Sequence, residues 1–343
     1  MICQMDNLPD PPLPLLVTGI AGVAGYAALH HFREKYPGQV FGMRPVKNWR
    51  LTGEGVVSCD VEDQASLQRL FDKHQFASVL NCAGSCALKA CELDPAMAWR
   101  VNVQGIRELL SVMQGSSTRL VHLSIDLVFS GVGLGQYREG DETDPVTVFG
   151  KTMSIAENLI QLAHPDACML RISLPMGVSF NGHAGAIDWI QSRFKQRKPA
   201  TLYFDEVRTP TYTDCLNRVL QIILSNDARG LYHAGGPRAL SLYQIAQIVN
   251  RVGGYDPQHV MGCPRIAAGP IPPRAGNVSM DSSRLEQLLG FAPFDPWPYD
   301  PELVPSHPEW HLECDVQGSP ELLNEVLYQN PRITRLVEGN ARQ

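Results

Sequence analysis

The chain has 343 residues, 44% hydrophobic and 19% charged, with a formal net charge of −6. That length and apolar content suit a globular protein with a sizeable core, larger than one average domain and short of three. The acidic balance, with no basic run longer than "KQRK" at 195–198, offers no field for nucleic-acid phosphates or anionic lipid, so neither nucleic acid nor membrane is an expected partner.

Residues 1–13, "MICQMDNLPDPPL", have no basic start and no long apolar run, and read as a disordered lead rather than a signal peptide. From residue 14, short apolar runs alternate with helical patterns. "LLVTG" at 15, "QVFGM" at 39, "GVVSCD" at 55, "SVLNCAG" at 78, "LVHLSID" at 120 and "CMLRIS" at 168 read as strands, and 23–35, 63–74, 95–113 and 150–163 as crossover helices. The alternation predicts an α/β fold, a Rossmann-type doubly wound parallel sheet over residues 14–174. His30 and His31 are expected on the solvated side or end of the first helix. Residues 175–300 read as a smaller C-terminal substrate-binding lobe that shares elements with the sheet domain. It holds a helix capped by Thr213 or Asp214 and another opened by a Ser241/Gln244 capping box. In the tail, 301–343, Ser319 caps a short amphipathic helix with Pro320 at its first position, whose default partner is its own lobe.

Nine cysteines at irregular spacing, an odd number, predict reduced thiols and a cytoplasmic setting. Cys82, Cys86 and Cys91 do not have zinc or cluster spacing, and His307, His311 and Cys314 lack an obvious fourth ligand, so no metal is expected.

"VTGIAGVAGYAAL" places Gly19, Gly22 and Gly25 between the first strand and the first helix. Glycines there allow a tight turn, let the backbone approach a pyrophosphate and bring the helix close to the strand, while the helix N-terminus supplies N–H groups. The second strand ends on Arg44 and not on a carboxylate, which suits the 2′-phosphate of NADP better than the free ribose of NAD. Asp60, ending the third strand, is placed to reach the adenine or to sit in a surface loop; Val61 and Ala83 are further cofactor candidates.

Together with the glycine spacing, "LNCAGSCALKACELDPAMAWRVNVQG" from 80, "LSIDLVFSG" from 123, "QYREGDETDPVTVFGKT" from 136, "RTPTYTDCL" from 208 and "NVSMDSSRLEQLLGF" from 277 carry a family likeness. The chain resembles the extended short-chain dehydrogenase/reductases, and within them the dTDP-4-dehydrorhamnose reductases, over about residues 14–292. The resemblance implies NADP(H) or NAD(H), a C-terminal lobe that holds a nucleotide-sugar, and a Ser/Thr, Tyr and Lys catalytic set. At the matching positions this chain has Ile125, Phe149 and Met153. None of them can donate a proton, lower a tyrosine pKa or hydrogen-bond a substrate oxygen. Lys151 is no substitute, because two residues beyond Phe149 turns about 200° around the helix.

No catalytic residue is therefore assigned, and Asp126, Tyr137 and Lys89 are the fallback candidates. Asn102 matches the asparagine of the family's proton relay, and Arg208, Thr209 and Thr211 match the lobe that closes over the sugar nucleotide. The expected function is an NADP(H)-binding, non-catalytic or regulatory homologue that binds a nucleotide-sugar or acts through a protein partner, with a homodimer compatible. The alternative is an oxidoreductase with re-sited catalytic residues. The regulatory beta subunit of methionine adenosyltransferase is similar in fold and shows that this scaffold serves roles other than catalysis.

Overall fold

The computed structural model describes residues 8–84, 86–313 and 318–333. Seven strands form the main sheet: β1 Leu15–Val17, β2 Val40–Arg44, β3 Val56–Ser58, β4 Ser78–Asn81, β5 Arg119–Ile125, β6 Cys168–Ile172 and β7 Gly230–Ala234. Their order is β7-β6-β5-β4-β1-β2-β3, and every neighbouring pair is parallel. The winding reverses at β1, where Leu15 lies opposite Val40 on one side and Ser78 on the other. Open sheets of this kind bind ligands in the crevice beyond the strand ends at that reversal.

Both faces are covered, and the alternation of side chains along β1 shows how. Leu15 and Val17 enter the core beneath α1 (Val23–Lys35), whereas Leu16 enters the core shared with α2 (Gln64–His74). After α3 (Leu88–Leu93), the single helix expected over 95–113 is interrupted. α4 (Pro95–Trp99) and α5 (Gly105–Met113) are joined by a wide π turn at Arg100–Gln104. The turn buries Asn102, whose Nδ2 donates to Thr152 Oγ1 at 2.8 Å on α6 (Val148–Ala163). Thr147 caps α6 by accepting from Gly150 N at 3.0 Å.

The remaining long helices are α7 (Ala186–Lys195), α8 (Thr213–Ser225) and α9 (Leu242–Val252). α9 begins with the expected Ser241/Gln244 capping box. α8 does not use the expected caps. Its N-cap is the extended Tyr212, and the Asp214 carboxylate instead accepts from Cys215 N and Asn330 N, both at 2.8 Å.

Three further expectations need revision or are resolved here. Within the lead, Pro9 O accepts from Gln221 Nε2 and Ser225 Oγ of α8, and Pro12 O accepts from Ser78 Oγ, so residues 9–12 are fastened to the sheet domain. His30 is exposed, but His31 faces inward, its Nε2 3.0 Å from Gln221 Oε1. The tail docks on its own chain. Leu323, Leu327 and Tyr328 are buried in the main core, Trp297 Nε1 donates to Leu327 O at 2.9 Å, and Tyr328 Oη donates to Asp188 at 2.6 Å. Among the described residues no helix is long and apolar enough to cross a membrane. No group of three His, Cys, Asp or Glu among them could hold a metal ion, and Cys314 lies outside them.

Candidate functional site

Beyond β1, the three glycines have different surroundings. Gly19 has φ +64, and a β-carbon on it would lie 2.2 Å from Cys82 O; one on Gly25 would lie 2.4 Å from Gly19 O. Both are fixed by packing. A β-carbon on Gly22 would meet only Gly19 O, at 3.6 Å, and Gly22 caps α1 with no side-chain hydrogen bond. The space before Gly22 is thus open at the N-terminus of a 13-residue helix, the arrangement that receives a pyrophosphate.

Arg44 leaves the sheet along the same edge, because β2 runs parallel to β1. Its Nη1 donates to Pro45 O, Val46 O and Ser58 Oγ at 3.0, 3.1 and 3.2 Å. Its Nε is buried without a partner, a donor that a phosphate oxygen would satisfy. Asp60 braces the loop after β2 by accepting from Val46 N at 2.9 Å. Val61 and Ala83 line one small crevice with Thr18, Met43, Asn81 and Gly105.

The floor of this crevice is a buried polar relay not anticipated from the sequence. Thr18 Oγ1 donates to Asn81 Oδ1 at 2.5 Å and accepts from Cys82 N and Ala83 N, both at 3.1 Å. Asn81 Nδ2 lies 2.9 Å from His122 Nδ1. Burial lowers the His122 pKa to about 4, so at neutral pH the ring is uncharged and accepts from the amide. A histidine inside the apolar run "LVHL" was the available signal.

Toward α6 the surroundings become apolar. Phe149 and Met153 are 5% and 3% exposed, packed with Cys91, Leu127, Val128 and Phe129, and Ile125 lies against the same cluster. A β-carbon on Gly84 would lie 3.8 Å from Met153 Sδ and 3.6 Å from Asn102 Oδ1, so α6 sits directly against the exit of β4. Lys151 is exposed, as helical geometry requires, and so is Lys89.

Asp126 and the substrate-side candidates Arg208 and Thr209 are engaged internally. Asp126 is fully buried, accepts from Ser173 Oγ at 2.5 Å and from Arg208 Nε at 2.6 Å, and is also paired with Arg208 Nη2. It is the counter-ion of Arg208. Arg208, expected to meet a diphosphate, is 4% exposed and held by this pair, with Glu206 at 3.8 Å. Arg274 completes the group by donating to both Glu206 oxygens, at 2.7 and 2.9 Å, so two cations balance two anions. Burial nevertheless raises the Glu206 pKa. Thr209 is likewise turned inward. Its N–H donates to Ser173 Oγ at 3.0 Å, and a β-carbon on Gly235 would lie 2.4 Å from its Oγ1. Arg208 and Thr209, the residues expected on the substrate side, are thus both buried in this arrangement. The Tyr137 ring stacks on Phe129 at 4.0 Å and 8°, and its carbonyl lies 2.9 Å from His233 Nδ1.

A parallel sheet that reverses at β1, with an open glycine turn at the reversal and the start of α6 against the exit of β4, defines a nucleotide-binding scaffold of the Rossmann type. The model of the RmlD substrate binding domain family matches residues 14–302, and the chain belongs to that family. It is 29% identical over 244 residues to the dTDP-4-keto-6-deoxy-D-glucose reductase of Streptomyces niveus, covering 69% of this chain and 82% of that protein. Over 296 residues it is 24% identical to the methionine adenosyltransferase 2 subunit beta of Xenopus laevis, covering 82% and 84% of the two chains. The crystal structure of dTDP-4-dehydrorhamnose reductase from Bacillus anthracis in complex with NADP matches with a TM-score of 0.72. At 18% identity, over 82% of this chain and 95% of that one, it shows a shared fold.

Proposed function

We propose that this chain is an NADP(H)-binding member of the family that does not run the family's reduction, and that it binds a nucleotide-sugar or acts through a protein partner. The observation that carries this reading is the burial of Phe149 and Met153 in an apolar cluster at the two positions where the family resemblance calls for Tyr and Lys. Bound NADPH supplies a hydride, but ketone reduction also needs a positioned proton donor, worth about 10² to 10⁴ in rate. Phe149 has no hydroxyl, Met153 has no charge with which to tune one, and Asp126 is committed to Arg208. The open space at Gly22 and the unsatisfied Arg44 Nε support the cofactor half of the reading. A relative named as a subunit supports action through a partner.

Two measurements on the full chain test it. Anaerobic mixing with NADPH and a dTDP-4-keto-6-deoxy sugar, followed at the nicotinamide absorbance, should show no turnover; about 1 s⁻¹ or more, ordinary for enzymes, overturns the non-catalytic half. Calorimetry should show NADP binding with micromolar or better affinity, weakened at least about tenfold by Gly22→Val, whose side chain fills the cradle. In Arg44→Ala, NADP should lose more affinity than NAD. Failure of the intact protein to bind NADP overturns the cofactor half.

A further inference from the structure

We infer that this chain grips NADP by its adenosine 2′-phosphate and diphosphate alone, is indifferent to the redox state of the nicotinamide, and accepts 2′-phospho-ADP-ribose as an equal ligand. The inference rests on the NADP-binding reading above.

The crevice can be followed residue by residue from the pyrophosphate cradle. Gly19 abuts Cys82 O, the chain runs on through Ala83 to Gly84, and Gly84 lies against Met153 Sδ. A dinucleotide laid from Gly22 across the end of β4 therefore brings its second half over Met153 and Phe149. At the first end stand the open helix N-terminus that follows Gly22 and the unpartnered Arg44 Nε. At the second end the polar groups Asn102, Glu92 and Asp126, around α6, are bound to protein. Asn102 Nδ2 donates to Thr152, Glu92 accepts from Val148 N at 2.7 Å, and Asp126 is shared between Arg208 and Ser173.

NADP+ carries a positive charge on the nicotinamide ring and NADPH does not. A site tells them apart only by placing a charge or a matched hydrogen bond beside that ring. A thioether and a phenyl ring provide neither, and a thioether sulfur cannot donate to the ribose hydroxyls. A hydrogen bond to a charged group is worth roughly tenfold or more in affinity, so its absence is measurable. A protein of this kind senses the size of the phosphorylated dinucleotide pool and not its oxidation ratio.

The test is calorimetric titration of the full chain with NADP+, NADPH and 2′-phospho-ADP-ribose in one buffer. The three dissociation constants are expected to agree within about fivefold, less than one charge-assisted hydrogen bond would introduce. A wider preference for either dinucleotide over the fragment, or between the two dinucleotides, overturns this inference and leaves the cofactor reading standing. Absence of binding by all three overturns both.

Discussion

The two ends of the crevice are built on opposite principles. At the glycine turn the protein presents backbone and leaves room: Gly22 faces open space and Arg44 keeps an unsatisfied donor. At α6 it presents side chains and leaves none: Phe149 and Met153 fill the volume, and the nearby charges cancel within the Asp126, Arg208, Glu206 and Arg274 group. One end is open. The other is packed apolar interior. A binding site and a piece of hydrophobic interior can thus occupy neighbouring stretches of one cleft, separated by the few residues of the β4 exit.

Substitution at Arg208 is expected to cost the most. Arg208→Ala leaves Asp126 buried and unpaired, which typically costs about 3–5 kcal/mol, and should lower the urea midpoint while NADP still binds the folded fraction. Unchanged stability with loss of nucleotide-sugar affinity would show that this end still serves a ligand.

The next effect lies where the two ends meet, at His122. Its folded pKa of about 4 is below the usual 6.5, so the unfolded chain binds the proton more readily. Stability is fully present above pH 6.5 and falls as the pH drops toward 4, by at most about 3 kcal/mol from this group. Urea unfolding of the wild type and His122→Gln between pH 7 and 4.5 should show a shallower acid loss in the variant. Equal slopes would remove His122 as the cause.

The smallest effect is expected from Met153→Leu. A volume-conserving exchange in a packed cluster should cost less than about 1.5 kcal/mol and leave the NADP dissociation constant unchanged. A tenfold weaker constant would mean that the thioether touches the ligand.

What the sequence disclosed divides along the same line. β1 to β6 and the glycine turn were legible because strand periodicity and glycine spacing are local signals. β7 was not, since "GLYHA" is short and half polar and joins the sheet only by pairing with β6. The absence of the family's Tyr and Lys could be read from the aligned motif, but what replaced them could not. Asp126 and Arg208 are 82 residues apart, and nothing local to either announces the other. An arginine in "RTPT" looks the same whether it awaits a diphosphate or a buried aspartate. The π turn at Arg100–Gln104 was also hidden, because the apolar pattern of 95–113 continues through it and only the bond from Asn102 to Thr152 reveals the offset.

α8 holds two distant segments at once. Its C-terminal turn takes Pro9 through Gln221 and Ser225, and its first turn takes Asn330 through Asp214 and Cys215. During vectorial synthesis the early segment is waiting when α8 emerges, whereas the late one has yet to be made. The helix can settle on its first partner well before its second exists, and the Asp214 carboxylate and Trp297 indole must remain solvated until residues 327–330 arrive. Closing contacts of such long sequence separation is slow. In this chain the segment around residue 330 is seated on a helix completed about a hundred residues earlier, 116 by the Asp214–Asn330 pair.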